Sequence, residues 1–189
     1  MKIGIGCNTD PEKIVESILR TPIANDVICY TTAETAAAIT ASSVTIRTAD
    51  NPAEALIDDL KSHRIDAAIR GTLPANATLS YVKKAYNMDH LRRIAFLETA
   101  HGQKFLLAPV GVDEGWTVED KIAFVTDGRR YAHAFGLSET AVVLAGGRTG
   151  DVGRHPSVDH SILDAKEVCE KTGAVFGQML IEDPVKSGP

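Results

Sequence analysis

Cysteine is scarce in this chain: Cys7, Cys29 and Cys169 are the three in 189 residues. They form neither a C-x-x-C pair nor an even-numbered framework, so disulfides are not expected and a reducing cytoplasm is. Positive charge is also short. A formal net charge of -5 argues against a general nucleic-acid or anionic-membrane binder, which needs a basic surface. No apolar stretch approaches the roughly 18 residues of a membrane span. The start, "MKIGIGCNTDPEK", is too briefly apolar and too soon charged for a signal peptide. His63, His90, His101, His133, His155 and His160 show no H-x-x-x-H or similar ligand spacing, which excludes a recognisable protein-built metal site. Without G-x-S-x-G or a Walker A motif, a serine hydrolase or a P-loop enzyme is disfavoured. The chain also carries no internal repeat, low-complexity segment or charge block.

What is present is the composition of a soluble globular protein, 44% hydrophobic and 24% charged, with length for one large domain or two small ones. Apolar runs alternate with helical patterns. "KIGIGC" is followed by Asp10 and Pro11, a cap and first helical position, and then Ile14, Val15, Ile18 and Leu19 recur at helical spacing. "DVICY" reads as a strand before the alanine-rich helix "TTAETAAAITA", and "VTIRTA" as the next. Asn51, Pro52 and Glu54 make a capping pattern for a helix whose Leu56, Ile57 and Leu60 face the core. "IDAAIRG" and "NATLSYVKKAYN" complete the series. Strands alternating with helices across short loops imply parallel pairing through right-handed crossovers.

Near residue 92 the pattern changes. "RRIAFLET" and "KFLLAPV", separated by "AHGQ", read as a hairpin. A long helix from about Thr117 to Phe135 ends at Gly136, followed by "TAVVLA", a glycine-rich loop, a helix from Ser157 and a last strand, "VFGQMLI". The expected organisation is two α/β lobes, 1–92 and 93–189, the second opening with the hairpin.

In open parallel sheets, ligands bind beyond the carboxyl ends of strands, and four segments qualify. "GIGCNTD" holds a G-x-G without the third glycine of a dinucleotide fingerprint, and reads as a tight strand-to-helix turn. In "RGTLPANAT", Arg70 and Gly71 end a strand, and Thr72 offers a hydroxyl beside backbone N–H groups; Arg70 reads equally as a ligand residue or a surface one. "GGRTGDVGRHPSVD" is the most suggestive. Arg148 and Arg154 can fork onto a phosphate, and Gly146, Gly147, Gly150 and Gly153 let N–H groups turn inward as an anion nest. Ser157 reads either as a donor to the same anion or as an N-cap, and His155 as exposed and uncommitted. Last, Glu182 and Asp183 in "IEDP" offer a carboxylate as base or orienting group, or form a solvated loop.

The series "DAAIRGTLPANATLSYVKKAY", "RRIAFLE…KFLLAPVGVDEGWTVEDKIAFVTDGRRYAHAFGL", "TAVVLAGGRTGDVGRHPSVDHSILDAKEV" and "MLIEDPVKSG" resembles the phosphate acetyl/butyryltransferase superfamily. Within it the resemblance is nearest to the methanogen marker proteins called methyltransferase subunit X (MtxX), and is strong from about residue 65 onward. It implies a two-lobed three-layer α/β/α fold with a mostly parallel sheet, like the isocitrate and isopropylmalate dehydrogenases, in a homodimer with the ligand between the lobes. By position it makes Arg70, Gly71, Thr72, Gly147, Arg148 and Arg154 binding residues for a small anionic metabolite, and Ser157 and Asp183 catalytic. In those acyltransferases coenzyme A attacks an acyl phosphate, so coenzyme A or another phosphorylated ligand is the implied cofactor. The family continues past "VKSG" into a further strand and a "P-D-x-x-x-G-N" turn, so a C-terminally truncated version is expected. No motif for S-adenosylmethionine or a corrinoid accompanies the methyltransferase name. Two functions therefore stay open: a transferase acting on a phosphorylated or thioester-linked metabolite, and a non-catalytic metabolite-binding or regulatory subunit of a methyltransferase complex in one-carbon metabolism.

Overall fold

The computed structural model describes residues 1–40 and 43–178. The chain divides into two compact units, Met1–His90 and Leu91–Pro189.

The first unit is built on four strands, β1 (Ile3–Gly6), β2 (Val27–Thr31), β3 (Thr45–Thr48) and β4 (Ala67–Ile69), all parallel in the order β3-β2-β1-β4. Their connections are α1 (Pro11–Leu19), α2 (Ala33–Ala37) and α3 (Pro52–Lys61), and α4 (Ala75–Tyr86) follows β4. Successive strand residues point to opposite faces, and both faces are covered. Ile5, Cys7, Val27 and Cys29 pack with Ile14 and Ile18 of α1. Tyr30 packs on the other side with Ala53 and Leu56 of α3 and with Leu73. Leu56 is fully buried, which stabilises the unit by about 1.5–3 kcal/mol through lost apolar exposure.

The "GIG" glycines are explained by this packing, and the expected strand-to-helix turn is corrected. Gly4 and Gly6 lie within β1. A Cβ on Gly4 would stand 2.5 Å from Leu56 Cδ1 and 2.8 Å from Tyr30 Cε2. The absent side chains let α3 and Leu73 close on the sheet.

Local signals acted unevenly. Asn51 caps α3 by accepting the Glu54 N–H at 3.3 Å, with Pro52 in the first turn. Asp10, expected as the cap of α1, instead adopts a left-handed backbone (φ 49°) and its side chain makes no cap bond. The alanine-rich segment forms only the five-residue α2, capped by Thr32.

The second unit opens with an antiparallel hairpin, β5 (Ala95–Glu98) and β6 (Lys104–Leu107). Then comes α5 (Val118–Ala134), started by a capping box between Thr117 and Asp120. It ends in a Schellman turn: Gly136 (φ 67°) donates to His133 O at 3.0 Å and Leu137 to Ala132 O at 2.8 Å. A parallel pair, β7 (Val142–Val143) and β8 (Val175–Phe176), is joined by α6 (Pro156–Thr172). Ile162 and Ala165 of α6 pack with Ala145 against that pair, and Lys121 of α5 meets Asp164 of α6 at 2.8 Å. Of the expected last strand, Val175 and Phe176 are in β8; its continuation from Met179 lies outside the described residues. Among the described residues, no helix is long and apolar enough to cross a membrane.

Candidate functional site

Two strand ends position the groups singled out in the sequence, one in each unit.

At the carboxyl end of β4, Gly71 holds φ 57°, a left-handed conformation that glycine adopts without a Cβ penalty. A side chain there would also collide with the carbonyl of Gly6. Thr72 follows, and its hydroxyl is not free as the sequence suggested. It accepts the N–H groups of Asn8 at 2.9 Å and Thr9 at 3.2 Å and donates to Thr9 O at 2.8 Å. Thr72 thus ties the turn after β1 to the turn after β4. Arg70 is exposed and donates one of its guanidinium N–H groups back to Leu73 O within the same turn. Beneath these turns lie Cys7 and Cys29, both fully buried free thiols. Burial pushes the Cys29 thiol up to about 12, and burial also raises Cys7, which shares a hydrogen bond with Cys29. Buried and protonated, they are packing groups, not nucleophiles. Cys169 is a free, half-buried thiol on α6.

At the carboxyl end of β7, the glycine-rich loop runs into α6 through a 3-10 turn at Thr149–Asp151. Its glycines have separate reasons. Gly146 donates to Ser161 Oγ at 2.8 Å. Gly147 is buried, and a Cβ on it would stand 2.5 Å from Val158 Cγ1. Gly153 has φ 87°. Two carboxylates the sequence reading passed over, Asp151 and Asp159, supply the loop's internal acceptors. Asp151 takes the Arg148 N–H at 2.9 Å and lies 3.3 Å from Arg154 Nη1. Asp159 takes the Gly153 N–H at 2.7 Å. With two arginines set against two aspartates, "GGRTGDVGRHPSVD" is formally balanced, not basic. Both aspartates stand close behind an arginine in the sequence, Asp151 three residues after Arg148 and Asp159 five after Arg154.

Two further readings are corrected here. Ser157 is not the cap of α6, because the helix begins at Pro156 and His155 is its N-cap, accepting the Ser157 N–H on Nδ1 at 3.2 Å. His155 is exposed but not uncommitted. Glu182 and Asp183 lie outside the described residues. Elsewhere, a shallow cavity of about 270 Å³ opens between α3 and α4, lined by Asn51, Glu54, Ser80, Tyr81 and Lys84 among others; it involves none of the residues expected to bind. Among the described residues, no group of three or more His, Cys, Asp or Glu is placed to hold a metal ion.

Comparison with known proteins adds relatives. No protein-family model matches the chain. It is 41% identical over 142 residues to a protein of Methanosarcina mazei named "Putative methyltransferase mtx subunit X", covering 72% of this chain and 51% of that one. An uncharacterized methyltransferase of Methanopyrus kandleri is 32% identical over 173 residues, 89% of this chain and 65% of that protein. The chain thus spans about half the length of the Methanosarcina relatives it matches. Among solved structures, a branched-chain phosphotransacylase from Enterococcus faecalis superposes with a TM-score of 0.72 at 19% identity, over 99% of this chain and 71% of that one. A phosphotransacetylase from Staphylococcus aureus gives a TM-score of 0.60 at 10% identity, over 99% and 73%. Both sets match the resemblance carried by the motifs: in sequence the chain is similar to methanogen proteins named as methyltransferase subunit X, and in fold to the phosphotransacylases.

Proposed function

We propose that this chain is a transferase-type protein that binds a phosphorylated or thioester-linked metabolite through the loop Gly146–Asp159 of its second unit. The observation that carries the reading is the loop at the end of β7. There two arginines and a helix start of the 17-residue α6 share one strand end, where charge-assisted donors and the helix dipole favour an anion. The phosphotransacylase fold supports a phosphate as that anion. Gly147 and Arg148 offer backbone donors, and Arg148 and Arg154 their guanidinium groups; in the first unit, Arg70 with Gly71 and Thr72 is a separate candidate anion turn. In acyl transfer of this type the thiol of coenzyme A loses its proton, its sulfur bonds to the acyl carbon, and the carbon–oxygen bond to phosphate breaks, with inorganic phosphate leaving. We assign Ser157 as donor to the developing charge and Asp183 as proton acceptor. The protein's part is to position two anionic substrates. The homodimer, the cytoplasmic setting and the likeness to isocitrate and isopropylmalate dehydrogenases belong to this proposal too.

A second reading has its own support, since the relatives are named as a subunit. In it the same loop binds the metabolite without turnover, as a sensor within a methyltransferase complex. Calorimetry with inorganic phosphate and with coenzyme A tests what both readings share. Replacing Arg148 and Arg154 together by alanine is expected to weaken binding by about 2–4 kcal/mol, at roughly 1–2 per charge-assisted contact. Stability should barely change, because an exposed ion pair such as Arg154–Asp151 contributes little. Unchanged affinity would make the loop a connector and remove the anion site from both readings. Acetyl phosphate turnover with coenzyme A then separates enzyme from sensor.

A further inference from the structure

Asp151 occupies the donors that the proposed function assigns to an anion. Its Oδ2 accepts the Arg148 N–H at 2.9 Å, and its Oδ1 lies 3.3 Å from Arg154 Nη1. The 3-10 turn brings it there: the Asp151 N–H donates to Arg148 O at 2.9 Å, folding the carboxylate back over the start of its own turn. The side chain is 25% exposed, against 75% for Arg154. Asp159 differs, because it takes a single backbone N–H, that of Gly153, at 2.7 Å.

We propose that Asp151 is an internal stand-in for the ligand's anion, holding the loop's donors between ligands and lowering the apparent affinity for any external anion; this rests on the anion-binding reading of the loop. A tethered carboxylate competes at a high effective concentration. An incoming carboxylate such as acetate offers the same charge and the same two oxygens, so it gains nothing by displacing Asp151. A phosphate dianion carries more charge and a further acceptor oxygen, and it displaces the carboxylate toward solvent. Where the stand-in holds the donors about nine-tenths of the time, the apparent affinity of any external anion falls about tenfold. The device therefore lowers affinity by the same factor for every external anion, while keeping the loop's donors satisfied between ligands.

The test uses Asp151→Asn, which keeps an oxygen acceptor for the Arg148 N–H and removes the charge, with Asp159→Asn as a matched change in charge on the same loop. Calorimetry with inorganic phosphate and with acetate is expected to give about a tenfold gain in affinity for both anions in Asp151→Asn, so that acetate binding becomes measurable. Asp159→Asn should stay within about twofold of the parent. Equal gains in the two variants would mean a general charge effect and would overturn the stand-in. Unchanged or weaker binding in Asp151→Asn overturns it too, but leaves the anion loop standing if the double arginine variant still loses affinity. If that double variant binds as the parent does, the loop reading itself falls and the stand-in with it. A measurement on the unmodified protein is independent of how the variants fold: phosphate should shift the NMR signals of the Asp151 carboxyl carbon and the Arg148 amide together. An Asp151 carboxyl signal that does not move at saturating phosphate overturns the proposal.

Discussion

Asp59 shows how a single carboxylate organises the first unit. It is 2% exposed, accepts the Tyr30 hydroxyl at 2.7 Å, and meets the guanidinium groups of Arg47 and Arg64. Its partners are unequal, because Tyr30 is fully buried whereas the Arg64 side chain is 60% exposed. Replacing Asp59 by alanine leaves a buried phenol without an acceptor, which costs about 1–3 kcal/mol beyond the lost contacts. Replacing Arg64 by alanine should cost under about 1 kcal/mol, since water serves its exposed side. Urea unfolding of the two variants checks the ranking, and equal losses would refute it. The buried thiols make a second residue-level prediction. Burial holds Cys29 near 12, above its ordinary 9.0, and raises Cys7 as well. A group whose pKa is raised on folding adds stability that is complete below the unfolded value and is lost as pH climbs through the folded one. Stability should therefore fall between pH 9 and about 12, and Cys29→Ala should flatten that fall in unfolding curves measured across the range.

Among the elements, the turns after β1 and β4 depend on each other. Gly71 provides the left-handed corner, and the Thr72 hydroxyl makes three hydrogen bonds to the segment Asn8–Thr9. Thr72→Val keeps the shape and removes all three bonds. Water can reach this turn, so the expected loss is about 1–2 kcal/mol rather than the sum of three buried bonds. Hydrogen exchange should quicken at the Asn8 and Thr9 amides and stay unchanged at the fully buried Leu56 in α3. Quickening throughout the sheet would show instead that the tie supports the whole unit. Backbone conformation decides whether a capping side chain engages its helix. Asn51 and Thr117 occupy extended backbone, where the side chain reaches the third N–H ahead. Asp10 sits in a left-handed conformation that turns its side chain away from that N–H.

For the molecule as a whole, ligand-linked stability separates the functional readings. Any molecule that binds only the folded state stabilises it by about 2.7 kcal/mol at a hundred times its Kd. For a chain of this length that corresponds to a rise in Tm of roughly 5–10 °C. Inorganic phosphate, acetyl phosphate and coenzyme A are expected to raise Tm, and S-adenosylmethionine and corrinoids to leave it unchanged. A rise with S-adenosylmethionine alone would move the reading from the phosphotransacylase fold toward the methyltransferase name of the relatives. With a net charge of -5, any bound anion must be held by local donors, because the overall field repels it.

The parallel sheet of the first unit, the hairpin, the long helix and its glycine stop were legible in the chain, because hydrophobic period and turn chemistry are local properties. So were the two strand ends, since the ends of apolar runs mark where loops must turn. The partners chosen by polar groups were not legible. Thr72 finds Asn8 and Thr9 more than sixty residues away, and Gly4 and Gly6 answer to Leu56 and Leu73 across the sheet. Arg148 and Arg154 advertised an open anion cradle in one dimension. In three, the 3-10 turn folds Asp151 onto those donors, because a hydrogen bond depends on which atoms the backbone brings within about 3 Å, and residue order does not specify that.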